Sequence, residues 1–380
     1  MIKFIPFIET LNKWSSFDFN SYIENVKEDD IRKSIAKENL SELDFLCLLS
    51  NVAEPYLEDM AQKSSMLTIR NFGRTISLYI PLYISNYCVN ECAYCGFNRR
   101  NSITRMKLTL GEIEQNARKI YDTGLKHILI LTGESREKSP VSYIEDAVRL
   151  LRKYFASVSI EVYPMDIEDY ERLVSAGADG LTIYQETYDR DLYGRVHLRG
   201  PKRNFEYRLG APERGAIANF RTVTIGPLYG LGDPLKEAFF CGLHARHIFT
   251  NFSATEVGIS LPRLNEAEGN FKAISPLPDK KFVQFLAAFR LFLPKAGITL
   301  STRERQFFRD NLIGLGITKM SGGSNTSVGG YCCNPSTPQF EISDHRSVEQ
   351  IARVIMEKGY DPVYKDWEDL NSTRVNYNAG

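Results

Sequence analysis

Tyr79-Ile-Pro-Leu-Tyr-Ile-Ser85, followed two residues later by Cys88-Val-Asn-Glu-Cys92-Ala-Tyr-Cys95, joins an apolar run to a polar loop bearing three thiols. A loop at the end of a buried strand is a place where a few side chains can hold a soft metal centre. Cys-x3-Cys-x2-Cys offers three ligands, with no further cysteine or histidine close by in sequence. Structural zinc prefers four protein ligands, commonly as two spaced pairs. The trio therefore points to a [4Fe–4S] cluster held by Cys88, Cys92 and Cys95, with its remaining iron open to a ligand. A zinc site and a chance grouping of core cysteines are the alternatives. Buried cysteines rarely crowd a short loop that also holds Asn90 and Glu91.

Outward from this stretch the chain repeats one beat: a short apolar run, a loop of unusual residues, then an amphipathic helix. The runs fall at 78–84, 128–132, 158–163, 180–184, 222–225, 257–261, 298–301 and 317–320. Helical patterns fill 110–121, 143–154, 167–176, 213–220, 235–252, 282–292 and 306–315. This alternation predicts an α/β fold, a (β/α)8 TIM-type barrel over residues 71–320, whose active site lies at the C-terminal ends of the strands. Residues 1–70 read as a helical extension, with Ser41 and Asp44 placed to cap one helix. Residues 321–380, polar and then helical at 347–358, read as a lid segment, the last dozen frayed.

The 380 residues hold 47 Lys and Arg against 47 Asp and Glu, so charge gives no reason to expect nucleic acid or an anionic membrane as partner. No apolar stretch is long enough to cross a bilayer. Lys3 and Pro6 interrupt the start before a signal-peptide core could form. A cytoplasmic enzyme is expected. Seven cysteines, an odd number with three clustered, argue for reduced thiols over a disulfide framework. Cys47 and Cys241 read as core. Cys332 and Cys333 are adjacent and cannot easily ligate one metal.

Polar residues gather after the predicted strands. Gly133 permits close backbone approach and Glu134 is placed to bind an ammonium group, or to face a helix dipole. Glu161 lies in an apolar strand, where an unpaired carboxylate is costly, so it needs either a cofactor hydroxyl or a basic side chain. Gln185 and Glu186 are expected to face the site. His197 reads as structural, because nothing local pairs with it. The glycines of 226–233 suit flat backbone against an adenosine. Arg263 and Arg303 can each form the bidentate pair that a carboxylate wants, or an internal ion pair with an acid such as Glu304. Ser321 and Ser324 follow the last strand.

Cys-x3-Cys-x2-Cys with Tyr94 before its last cysteine resembles the loop of radical S-adenosylmethionine (SAM) enzymes. Tyr83-Ile-Ser-Asn-Tyr-Cys88, Cys95-Gly-Phe-Asn98 and Tyr184-Gln-Glu-Thr-Tyr188 are similar to the aromatic-amino-acid lyase branch of that superfamily, and Phe340-Glu-Ile-Ser-Asp344 and Val363-Tyr-Lys-Asp-Trp367 resemble its tyrosine-lyase family of thiamine thiazole biosynthesis. The resemblance runs from about residue 70 to 367. It implies a [4Fe–4S] cluster whose open iron is chelated by SAM, with Gly133 and Glu134 receiving the SAM amino group. Tyr94, Glu161, Gln185 and Glu186 would line the cofactor. Arg303, with Ser321 or Ser324, would anchor the substrate carboxylate, flanked by Arg263 and Glu304. The implied reaction cleaves L-tyrosine at Cα–Cβ to 2-iminoacetate (dehydroglycine) and 4-cresol, SAM ending as methionine and 5′-deoxyadenosine. A reductant such as flavodoxin or ferredoxin and a thiazole synthase are the implied partners. Tryptophan as substrate, or tyrosine cleaved for a metallocofactor, are neighbouring readings, though the C-terminal cysteine motif of hydrogenase-maturation members is missing. An iron–sulfur scaffold or carrier is the reading outside catalysis, and it gives no reason for Glu134 or the late arginines.

Overall fold

The apolar run that opens the argument is the first strand of a closed barrel. In the computed structural model, which describes residues 4–332, 336–365 and 367, β1 (Thr75–Ser85) is followed by β2 (His127–Thr132), β3 (Ser157–Glu161) and β4 (Gly180–Thr182). Then come β5 (Thr222–Ile225), β6 (Glu256–Ser260), β7 (Gly297–Leu300) and β8 (Lys319–Ser321). Each strand pairs in parallel with the next, and β1 pairs with both β2 (Ile80 opposite Ile128) and β8 (Leu78 opposite Met320), which closes the ring. All eight expected strands are present, shifted by at most two or three residues at their ends.

Connecting helices form where cap and stripe agree. Thr109 and Glu112 make a reciprocal capping box ahead of the helix Leu110–Tyr121, whose Ile113, Ala117 and Ile120 are buried against the strands. Gly177, at φ +109°, ends the helix Ile167–Ala176 in the left-handed conformation that favours glycine. In the N-terminal extension, Ser41 and Asp44 form the expected box before Glu42–Leu49. This extension covers the outside of the barrel. Phe45 stacks on Phe292 at 4.3 Å and Trp14 meets Phe239 edge-on at 5.0 Å, both partners on barrel helices. Cys47 and Cys241 are buried in this core, as expected.

The C-terminal segment does two jobs. Its first part crosses the C-terminal mouth of the barrel: the N–H groups of Ser343 and Asp344 donate to the Thr302 carbonyl, and fully buried Arg309 pairs with Asp344. After the expected helix (Val348–Glu357), residues Asp361–Val363 add β9, which was not foreseen because Pro362 argues against a strand interior. β9 pairs at the sheet's edge, with Thr75 opposite Asp361, where a missing N–H is tolerated. Cys333 and the chain end expected to fray lie outside the described residues. Among the described residues no helix is long and apolar enough to cross a membrane.

Candidate active site

The three cysteines follow β1 in a loop tied down on every side. Val89 N–H donates to the Glu134 carbonyl (2.8 Å), Glu91 N–H to Arg199 (2.9 Å), and Ala93 N–H to Val196 (2.8 Å). Arg105 reaches under the loop to the carbonyls of Asn86, Phe97 and Asn98. Burial pushes the thiols of Cys88 and Cys92 up, Cys95 adds to both shifts and Cys88 to that of Cys92, so the three lie within electrostatic reach of one another. A bound metal centre reverses that preference and takes the sulfurs as thiolates. Among the described residues no three Cys, His, Asp or Glu side chains gather closely enough for a single metal ion. Three cysteines with no disulfide among them supply the three ligands a cluster with an open iron takes, one short of the four that structural zinc prefers.

Gly133 is tied to this loop by sterics. A Cβ there would stand 2.5 Å from the Tyr87 carbonyl oxygen and 3.1 Å from Cys88 Cβ. Glu134 accepts from the buried Asn90 amide at 2.6 Å, so the carboxylate is held beside the cysteines. Tyr94 donates its hydroxyl to His197 Nε2 (2.8 Å), whose Nδ1–H donates to the Tyr193 carbonyl (2.8 Å). Burial, aided by Lys202, holds His197 down at about 3, so it is a neutral acceptor. Tyr193 is one helical turn away, a local partner that the sequence reading overlooked, whereas Tyr94 lies 103 residues off.

One cavity at the strand ends is lined by Tyr94, Cys95, Glu161, Tyr184, Glu186 and Arg303, among others. Arg303 makes no ion pair among the described residues. Its guanidinium lies over the Phe340 ring at 3.3 Å, and apart from one long contact from Nη1 to the Arg263 carbonyl (3.5 Å) the fork meets no acid among the described residues. Glu161 faces the same space. Burial raises its carboxyl to about 7, although Arg303 opposes the shift. Because the folded value lies above the ordinary 4.5, this group's contribution to stability is complete below pH 4.5 and is lost as pH rises to about 7. The stability of cluster-free wild type relative to Glu161→Gln is therefore expected to fall by ~2 kcal/mol across that window. Urea midpoints at pH 5 and pH 8 measure it, and an unchanged difference removes the burial argument.

Glu186, at φ +72°, is buried between Lys202 (2.6 Å) and Arg208 (3.5 Å). Burial alone would raise its carboxyl, but the two cations more than offset that and hold it low. Lys202, in the short helical turn Pro201–Arg203, and Arg208, in the helix Phe205–Leu209, were missed as site residues, since their partner Glu186 lies 16 and 22 residues away in sequence. Gln185 does not line the cavity. Its neighbours Tyr184 and Glu186 do, on the loop just beyond β4.

Arg263 is withdrawn from the substrate role. It forms a forked pair with Glu304 and a second pair with Asp279 at 2.7 Å, and lines a neighbouring cavity, the wall between the two being shared by Arg303, Leu264 and Asn265. That leaves Glu304 committed as well. Ser321 accepts from the Thr302 N–H at 3.1 Å and is likewise occupied. The Ser324 hydroxyl is buried without a partner among the described residues. The glycines of 226–233 are taken by packing, not by an open face. A Cβ on Gly226 would meet the Ser260 carbonyl at 2.2 Å, and one on Gly232 the Glu237 carboxylate at 2.3 Å.

A parallel barrel with a three-thiol loop after its first strand defines a radical SAM protein, and residues 82–238 match the model of the Radical SAM superfamily. Residues 260–361 match the Biotin and Thiamin Synthesis associated domain. The chain belongs to the 2-iminoacetate synthase family: it is 35% identical to 2-iminoacetate synthase of Escherichia coli (strain K12), covering 94% of this chain and 96% of that one. The enzyme of the same name from Salmonella typhimurium is 36% identical over 89% of this chain and 90% of its own. Among solved structures, the [FeFe]-hydrogenase maturase HydG from Carboxydothermus hydrogenoformans superposes with a TM-score of 0.83 at 32% identity, covering 94% of this chain and 83% of that one. Membership brings with it a [4Fe–4S] cluster and SAM as cofactors.

Proposed function

We propose that this enzyme cleaves L-tyrosine between Cα and Cβ, yielding 2-iminoacetate and 4-cresol for thiazole assembly. When bound, the cluster and SAM supply one-electron cleavage of the sulfonium and a 5′-deoxyadenosyl radical that abstracts a hydrogen atom. The protein positions everything else. Cys88, Cys92 and Cys95 hold the cluster; Glu134, fixed by Asn90, takes the SAM amino group beside it. The observation that carries the reading is Arg303, a guanidinium with no ion pair among the described residues, in the cavity that Cys95 also lines. An amino-acid carboxylate on that fork sets the remainder of the substrate toward the cysteine loop. Such fixing matters because a reactive radical attacks whatever bond lies nearest. Ser324, whose hydroxyl has no partner among the described residues, is the second donor assigned to the carboxylate by family resemblance, although it does not line the cavity with Arg303. The decisive experiment is anaerobic: reconstituted protein with dithionite, SAM and L-tyrosine, read by mass spectrometry for 4-cresol and 5′-deoxyadenosine. Deoxyadenosine without cresol removes tyrosine as substrate and makes tryptophan next. Neither product, with a loaded cluster, brings forward the scaffold.

The reductant is expected to be an acidic one-electron carrier of the flavodoxin or ferredoxin kind, working in the cytoplasm. Arg99, Arg100, Arg195, Arg199 and Arg203 are all exposed on the cysteine loop and on the segment hydrogen-bonded to it, in a chain with no net charge. Complementary charge speeds encounter and is screened by salt. Carrier-driven turnover is thus expected to fall on the order of tenfold between low and 0.3 M salt, while dithionite-driven turnover changes little. Equal salt responses in the two assays would place the docking surface elsewhere. Because 2-iminoacetate hydrolyses readily, transfer to a thiazole synthase is the expected fate of the product.

A further inference from the structure

Gln339, from the segment that crosses the barrel mouth, reaches the cysteine loop through both its main chain and its side chain. Its carbonyl oxygen accepts the Gly96 N–H at 3.2 Å. A Cβ on Gly96 would stand 2.3 Å from that oxygen, so the residue behind the third cysteine must be glycine for the segment to seat there. The side-chain amide points the other way, to sulfur. Nε2 lies 3.7 Å from Cys95 Sγ, within range of an N–H···S bond, and Oε1 accepts the hydroxyl of Tyr83 at 2.7 Å. Tyr83 is buried on β1 and its hydroxyl serves no other described group, so it fixes which end of the amide faces the cysteine.

We propose that Gln339 is a positioning residue for the iron–sulfur cluster: its amide donates a hydrogen bond to the Cys95 sulfur and raises the cluster's reduction potential. The inference rests on the reading of Cys95 as a cluster ligand. Reduction adds negative charge that spreads onto the ligand sulfurs, and a donor aimed at one of them stabilises the reduced form more than the oxidised one. The same segment carries Phe340, the seat of Arg303. One strip of chain therefore touches both the cluster ligand and the substrate anchor, and a displaced strip would detune the first while loosening the second.

The test is a redox titration followed by electron paramagnetic resonance on anaerobically reconstituted protein, with iron and sulfide counted beforehand. At a fixed solution potential, Gln339→Leu is expected to lower the ratio of reduced to oxidised cluster about threefold, a fraction of one charge-assisted hydrogen bond. Tyr83→Phe leaves the amide in place but frees its orientation, and is expected to shift the ratio the same way by less. Unchanged ratios in both variants, with full iron content, would overturn the proposal. If Gln339→Leu takes up no iron, Tyr83→Phe decides alone: a shift in the same direction supports the hydrogen bond, and none overturns it. A wild type that binds no iron and sulfide would remove the cluster assignment itself, a failure told apart by the count.

Discussion

Arg303→Ala is expected to lower 4-cresol formation by about two to three orders of magnitude while 5′-deoxyadenosine continues to form. The guanidinium is at the cavity wall, makes no ion pair among the described residues, and rests on Phe340. Its removal leaves the cysteines and the Asn90–Glu134 contact untouched. Cofactor cleavage should therefore persist, with the substrate carboxylate no longer fixed. Arg303→Lys should recover only part of the loss, since a point charge does not reproduce a planar fork. Arg263→Ala is the contrasting variant. It strands Glu304, which is nearly fully buried, so its effect is expected on the unfolding midpoint before it is seen in product ratios. Both products measured from one quenched reaction, normalised to iron content, separate these cases. Loss of cresol and deoxyadenosine together in Arg303→Ala, with a full cluster, would refute the anchoring role.

The barrel was legible because its signal is repetitive. Each strand is an apolar run after an amphipathic helix, and eight repeats of one pattern leave little room for another fold. The cysteine trio was legible for a related reason: ligand type and spacing are local. What was not legible is pairing across the barrel. Arg263 and Arg303 stand after consecutive strands with the same residue type, and only the structure shows that Glu304 and Asp279 occupy the first and leave the second. Gln185 and Glu186 are neighbours in sequence, yet only Glu186 lines the cavity. Lys202 and Arg208 belong to the site through Glu186, 16 and 22 residues away, a pairing that hydrophobic periodicity does not encode. Gly226 and Gly232 admit a neighbouring strand and a carboxylate of the protein's own, where the sequence alone suggested room for a cofactor.

Glu186→Gln is expected to destabilise the cluster-free protein by ~3 kcal/mol, because it leaves two cations buried with no acid between them. Lys202 and Arg208 approach the same carboxylate oxygen, at 2.6 and 3.5 Å. The backbone at Glu186 takes φ +72°, a conformation that side chains other than Gly and Asn rarely adopt. Such a residue is retained only where its surroundings over-determine it, and here two opposite charges do. Since the ion pair holds the carboxyl below its ordinary 4.5, its contribution is present above that pH and is lost as acid titrates the group in the fold. The wild type should therefore lose its advantage over Glu186→Gln as pH drops below 4.5, the opposite direction to the Glu161 effect. Replacing charge on both sides, as in Glu186→Gln with Lys202→Met, should restore part of the loss, because one fewer cation is left stranded. Lys202 also lies 5.6 Å from the Tyr94 ring centroid and lowers the Cys92 thiol against the pull of burial, so cluster loading should weaken alongside stability. Urea midpoints with iron counts on the same preparations test both effects. A Glu186→Gln protein within 1 kcal/mol of wild type at pH 7 would mean that solvent, not the carboxylate, already satisfies the two cations.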